Sequence, residues 1–434
     1  MNINLFVQNV KTNNSVRNKE YEKCLLLNTY NRYIDNIFII NTENGMLTYG
    51  RFIEFTKIFP DDINILSNAD IFFDESIDLC RHMGDDDAYA LSRWDLPKGT
   101  LESKFLDAHV VKSQSRSQDT WIVKGAVKKG INGAFCLGQR GCDNVFAQEL
   151  ESSGYNVSNP CLDIIANHLH TTPFRTSSQH STVDGKRKFP EPCHLKPIHD
   201  LKSKKITMYT FYTGTHKRFY DEYFFPSVTD CGWSCDDIVV TVTPQRDPEG
   251  SWGDARKPPS TGFNQTMKDK WEWTIKTMEN DDSDYIIWSD PDVQYFSPFI
   301  KDLYCCLGDN DFAGQLDCEP DTICLGFFIF KNNDKNMRLF KHMLSDVDKY
   351  MHDQEAFNQL KDEYITSVSL CPKRYYTIGY SNNRKAWSGE DISPEKKAIL
   401  HHGNWTVGVE NKIKCMNLVR DKINVKQSHQ LLMG

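Results

Sequence analysis

The chain has 434 residues, 39% of them apolar and 12% aromatic, with a formal net charge of −8. That is too long for one ordinary core and predicts two or three globular domains. The acidic balance argues against nucleic acid as a partner, and no apolar run approaches transmembrane length, so no membrane span is expected. The start, Met1-Asn-Ile-Asn-Leu-Phe-Val7, lacks the basic and long apolar regions of a signal peptide, and the 14 cysteines form no CxxC pair. Cys231 with Cys235, or Cys193 beside His194, makes only an incomplete zinc pattern. Reduced thiols and a cytoplasmic location are the expectation.

In chain order, Ile3-Asn-Leu-Phe-Val7 reads as a first strand, Glu20 to Tyr30 as an amphipathic helix and Asn36 to Asn41 as a second strand. Ile63 to Asp74 reads as one longer strand stretch that carries Asn68-Ala-Asp70. Ala90-Leu-Ser-Arg93-Trp94-Asp95, Ser117-Gln118-Asp119-Thr-Trp121, Leu137-Gly-Gln-Arg-Gly141-Cys-Asp143-Asn144 and His168-Leu-His170 follow. His168 and His170, two apart on a strand, would face the same side. Residues 173–204 are polar, charged and proline-bearing, a linker composition. They separate a first domain, 1–172, from a second, 205–434.

The second half opens on a strand at Ile206 to Thr213, with another at Asp237 to Val242, and Thr266 to Met278 reads as a helix with Trp271 and Trp273 in its core face. The apolar run Tyr285 to Trp288 then delivers Asp290 and Asp292, one residue apart, at its C-terminal end. In open α/β sheets ligands bind at that end, and two such carboxylates hold a hard divalent cation while leaving positions for a diphosphate. Asp-Pro-Asp by itself is as readily a solvated turn. A strand at Cys324 to Phe330, a helix at Met337 to Asp346, Asp353-Gln354 and His401-His402-Gly-Asn404-Trp405-Thr-Val-Gly408-Val-Glu-Asn-Lys412 complete the chain. Alternating strands and helices in both halves imply an α/β architecture.

With Asp290-Pro-Asp292, Asp353-Gln354 and His402 to Lys412 in that order, residues 205–420 resemble retaining nucleotide-sugar transferases of the glycogenin and plant xylosyltransferase kind. The resemblance implies that Asp290, Asp292 and His402 (or His401) hold Mn²⁺ or Mg²⁺, and that Lys412 neutralises the departing diphosphate. Asp353 and Gln354 would sit on the reacting face of the sugar, with Gln315 and Asp317 as further sugar contacts. Asp353 is alternatively a helix N-cap, and His402 a loop cap. The ordered motifs of residues 1–175 resemble GT-A glycosyltransferase domains of large algal and amoebal DNA viruses. That resemblance implies Asp70, with His168 or His170, as metal ligands and Arg93 and Asp95 as donor or acceptor contacts. Asp119 and Asp143 are then the general-base candidates, unless they pair structurally with Arg116 and Arg140.

The expectation is thus two GT-A-like, Rossmann-like nucleotide-diphospho-sugar transferase domains in tandem. Each would use a UDP- or GDP-sugar and a glycan or glycoprotein acceptor. The alternatives are one active domain beside an acceptor-binding module, or a sugar nucleotidyltransferase. For the last, the Gly-rich basic loop expected after the first strand is missing, Tyr212-Thr-Gly-Thr-His-Lys-Arg218 being a weak substitute.

Overall fold

The computed structural model describes residues 1–41, 46–96, 117–172, 182–244, 261–318, 322–350, 352–365, 367–381, 385–395 and 397–431. These fall into two compact units, Met1–His199 and Asp200–Gly434.

The N-terminal unit contains strands β1 (Ile3–Gln8), β2 (Asn36–Ile40), β3 (Ile63–Ser67), β4 (Ile71–Phe73), β5 (Asp87–Leu91), β6 (Arg93–Asp95), β7 (Thr120–Lys124), β8 (Asn156–Ser158) and β9 (Ala166–His168). Six of them form a mixed sheet in the order β2-β1-β3-β7-β5-β8, and β4-β9-β6 form a small second sheet. β1 is flanked on both sides by parallel neighbours, which is why it and β3 read as nearly unbroken apolar runs. Leu66, Trp121 and Phe146 pack with Tyr49 and Phe52 in the core over one face. The helix preceding β2 runs Ser15–Tyr30, starting earlier than its apolar pattern suggests, because the Asn14 side chain caps it by accepting from the Arg17 N–H.

The expected single strand from Ile63 to Asp74 is in fact two. The Ile71 N–H donates to the Asn68 carbonyl at 3.2 Å, closing a turn, and β4 leaves the main sheet for the small one. Residues 182–199 belong to this unit, where Lys188 N–H donates to Asn144 O at 3.0 Å and Cys193 N–H to Asn159 O at 2.9 Å. Residues 173–181 of the expected linker lie outside the described residues.

The C-terminal unit contains β10 (Ile206–Tyr212), β11 (Ile238–Val242), β12 (Tyr285–Ser289), β13 (Val293–Tyr295), β14 (Phe312–Leu316), β15 (Ile323–Lys331), β16 (Val368–Leu370), β17 (Tyr375–Thr377) and β18 (Leu400–His402). Its main sheet runs β11-β10-β12-β15-β14-β16 and its small sheet β13-β18-β17. Strand for strand the main sheet has the topology of the main sheet in the first unit. In each, the first strand lies parallel to the second and third, the next two pairings are antiparallel, and the last is parallel. The small sheets each hold one antiparallel and one parallel pairing, but their parallel partners come from different points of the chain, β6 following β5 and β17 following β16. The core here is aromatic: Trp271 stacks near Trp288 and Phe328 with centroids 6.4 and 6.3 Å apart. No helix among the described residues is long and apolar enough to cross a membrane.

Candidate active sites

In the C-terminal unit β12 ends at Ser289, and Val293 N–H donates to Asp290 O at 3.2 Å to close a turn like that at Asn68. The turn throws Asp290 and Asp292 clear of the sheet. β13 then pairs with β18 so that Val293 stands opposite His402, and the small sheet carries the imidazole to the carboxylates. Ligand atoms of Asp290, Asp292 and His402 all lie within 4.8 Å of one another. His402 Nε2 is 3.6 Å from Asp292 and 4.0 Å from Asp290, and Lys412 Nζ is 2.6 Å from Asp292. Two carboxylates and one imidazole fit a divalent cation of the Mn²⁺ type. His401, one residue earlier in β18, has its Nδ1 2.9 Å from the buried Gln294 amide, and burial pushes it down to about 3.

Electrostatics set these groups apart. Burial raises the Asp290 carboxyl, with Asp292 adding to the effect and Lys270 opposing it. Asp292 is the more deeply buried of the two, yet Lys412 and His402 hold it well below the usual carboxylate range. Burial would lower His402, but Asp292 outweighs it and lifts the imidazole to about 10. Behind the ring, Cys324 Sγ lies 3.5 Å from His402 Nδ1. Gly326 leaves room for it, since a Cβ there would come within 1.9 Å of His402 Cε1.

The helix Asp353–Tyr364 aims its first turn into the same cleft, which Lys270, Asp290, Asp292, Gln354, His402 and Lys412 line. His352, not Asp353, is its N-cap: the His352 ring accepts from Glu355 N–H at 3.0 Å. Asp353 instead accepts from the Trp271 indole N–H at 3.1 Å and from Gln354 N–H at 2.9 Å. Gln354 donates to Asp317 at 2.7 Å, whose other oxygen accepts from the Trp405 indole at 3.1 Å. Asp317 therefore stands one step behind the cleft wall. Gln315, expected to meet a sugar, is fully buried in β14 with its amide 3.5 Å from Tyr375 O, and it does not line the cleft. The inward alternation of a central strand accounts for this.

Sequence reasoning missed Lys270. It is 2% exposed, donates to Leu325 O at 3.0 Å, and lies 3.6 Å from Asp290 and 3.5 Å from Asp353. The Trp288 indole, donating to Asp290 at 2.7 Å, was missed too. The first reads in sequence as one more charge on an amphipathic helix, the second as core.

The N-terminal unit repeats the arrangement. Asp70 follows the turn at Asn68, and β4 pairs with β9 so that Ile71 stands opposite His168, just as Val293 faces His402. Asp70 is thus the topological equivalent of Asp292, His168 of His402 and Asn68 of Asp290. Ligand atoms of Asp70, His168 and His170 lie within 4.8 Å of one another. His168 bridges two carboxylates, 3.2 Å to Asp70 and 2.6 Å to Asp95. Burial would lower its pKa, but the two acids raise it to about 9. Arg17, unforeseen from sequence, closes an ion pair on Asp70 and another with Glu20 at 2.7 Å. Asp70, although buried, is held well below the usual range by His168 and Arg17. Lys412 serves Asp292 in the same way from a different element.

Arg93 joins Asp95 at 3.2 Å and Asp119 at 3.1 Å, and Asn68 donates its amide to the other Asp119 oxygen at 2.6 Å. Asp119 therefore pairs with Arg93 and not with Arg140; Arg116 lies outside the described residues. Asp143, at the second position of the helix Cys142–Ser152, accepts from Gln118 N–H at 3.3 Å. Burial, with Asp119 adding to it, pushes Asp143 up to about 6.

Residues 262–416 match the nucleotide-diphospho-sugar transferase family. A search of curated proteins returned no match. Among solved structures the chain is similar to a glycosyltransferase involved in glycosylation of the major capsid of PBCV-1, at 10% identity and TM-score 0.35, covering 49% of this chain and 100% of that one. It is also similar to the glycosyltransferase GlyE of Streptococcus pneumoniae TIGR4, at 15% identity and TM-score 0.33, covering 52% of this chain and 64% of that one. Mouse xyloside xylosyltransferase 1 is similar at 11% identity and TM-score 0.31, covering 46% and 97%.

Proposed function

We propose that the chain is a glycosyltransferase with two transferase sites, one per unit, each taking a sugar from a nucleotide diphosphate with help from a divalent cation; the match of residues 262–416 to nucleotide-diphospho-sugar transferases supports the reading. The reading is carried by one constellation built twice on the same main-sheet topology: a turn-borne aspartate, a strand-borne histidine opposite the residue that follows it, and a cationic side chain paired with that aspartate. Mn²⁺ or Mg²⁺ bound there would act as a Lewis acid toward the leaving diphosphate. The residues contribute preorganised charge: Lys412 and Lys270 in the C-terminal cleft, Arg17 and Arg93 beside Asp70 and Asp119 in the N-terminal unit. For the C-terminal site we propose transfer with retention, in line with the resemblance of its motifs. UDP- or GDP-sugars are the donors in this reading, and a glycan or glycoprotein the acceptor. Two sites on one chain favour consecutive additions, since the first product starts near the second site at raised effective concentration.

A second reading, one catalytic unit beside an acceptor-binding module, is favoured by Asn68. That amide replaces the carboxylate present at Asp290 and is occupied with Asp119.

The test is turnover of a panel of UDP- and GDP-sugars with Mn²⁺ by the full chain, Asp292→Ala and Asp70→Ala. Each substitution is expected to abolish one activity and spare the other. Loss of all turnover in Asp292→Ala, with Asp70→Ala unchanged, would establish the one-catalyst reading instead.

A further inference from the structure

The helix Cys142–Ser152 precedes β8, and the helix Asp353–Tyr364 precedes β16, at the same point of the shared topology. Their second residues are Asp143 and Gln354. One position thus carries a carboxylate in the N-terminal unit and an amide in the C-terminal unit. An amide cannot take a proton from an acceptor hydroxyl. The neighbouring Asp353 has one oxygen on the Trp271 indole and the other on Gln354 N–H, with Lys270 3.5 Å away.

In the N-terminal unit Asp119 is occupied at both oxygens, by Asn68 and by Arg93. Asp143 is held by backbone N–H groups, and no side-chain cation is paired with it among the described residues. It remains partly exposed. Through Gln118 and Asp119 it adjoins Asn68, two residues from Asp70. We propose that Asp143 is the general base of the N-terminal site, so that this site transfers with inversion while the C-terminal site, with Gln354 in the same place, does not use a base there. The proposal rests on the N-terminal unit being a transferase.

In the step, the acceptor oxygen attacks the anomeric carbon from the face opposite the nucleotide, and Asp143 takes the hydroxyl proton. The bond from that carbon to the diphosphate oxygen breaks with its electron pair leaving on the diphosphate. A glycoside of opposite anomeric configuration, a nucleoside diphosphate and a protonated Asp143 result. A base is most effective when its pKa lies near the working pH, and burial beside Asp119 places Asp143 in that direction.

The experiment uses the full chain carrying Asp292→Ala, with UDP-glucose, UDP-galactose, UDP-N-acetylglucosamine and GDP-mannose as probes and water as acceptor. Proton NMR of the first-released sugar is expected to show the anomer opposite to the donor's. Adding Asp143→Asn is expected to lower turnover by on the order of 10²- to 10⁴-fold, with Mn²⁺-dependent nucleotide affinity kept within about twofold. A retained anomer in the parent, or less than about tenfold loss in Asp143→Asn, would overturn the assignment of the base while leaving the site a transferase. A parent that neither binds nor turns over any probe overturns the underlying reading as well. The anomer is read on the parent, so that arm stands even if Asp143→Asn fails to fold.

Discussion

A lysine that is 2% exposed is costly to bury unless its charge is matched. Lys270 is matched by Asp290, Asp353 and a backbone carbonyl, and its ammonium lies 4.6 Å from the centre of the Trp288 ring. Replacing it by Met leaves two carboxylates without their shared cation. Breaking a buried pair costs about 3–5 kcal/mol, and because the Asp290 side chain is 26% exposed the lower end applies, about 3 kcal/mol. Denaturant unfolding of Lys270→Met should show that loss, and donor turnover should fall with it. Unchanged stability and turnover would mean that Lys270 merely fills space. None of this was legible in Lys268-Asp-Lys270-Trp271-Glu. Sequence shows a helix with charges and aromatics, and its phase relative to a sheet not adjacent in the chain decides which charge turns inward. Asp290 and Asp292 were legible because a strand end is a local signal. Arg17 was not, for the reason that hid Lys270: its partner Asp70 lies 53 residues away.

At the scale of elements, the long strands could be read from apolar runs, but the three-residue strands β13 and β18 could not. Of the others, β4 reads only as a continuation of β3, and β9 only as a strand running on through His170, whereas it ends at His168. Three residues carry no usable periodicity, yet these strands bring each histidine to its aspartate. The break between β3 and β4 was hidden for the same reason, since Ile71-Phe-Phe73 continues the apolar run across the turn. A glycine inside a strand does signal close approach, and Gly326 of β15 shows the approach to be the His402 ring, 1.9 Å from where a Cβ would stand. Gly326→Ala is therefore expected to displace His402 while β15 stays paired on both sides. Isothermal titration of Mn²⁺ with UDP should show at least a tenfold weaker site, about 1.4 kcal/mol, with an unchanged far-UV circular dichroism spectrum. Equal affinity in the alanine variant would show that His402 is not needed for the cation.

For the whole molecule, each unit has its own buried core, one around Tyr49, Trp121 and Phe146 and the other around Trp271, Trp288 and Phe328. A ligand stabilises the unit that binds it by mass action, about 2.7 kcal/mol at a hundred times its dissociation constant. For a domain of about 200 residues each kcal/mol moves the midpoint by roughly 2–4 °C, so saturating Mn²⁺ and nucleotide should raise a liganded unit by about 5–10 °C. Calorimetry of the full chain is expected to resolve two transitions, both shifted by UDP and Mn²⁺. Asp292→Ala should cancel the shift of one and Asp70→Ala that of the other. Binding is read without any acceptor or product, so the result separates a unit that cannot hold a donor from one that holds it without reacting. If only the transition sensitive to Asp292→Ala moves, the N-terminal unit does not bind that donor, and the constellation of Arg17, Asp70 and His168 serves another ligand.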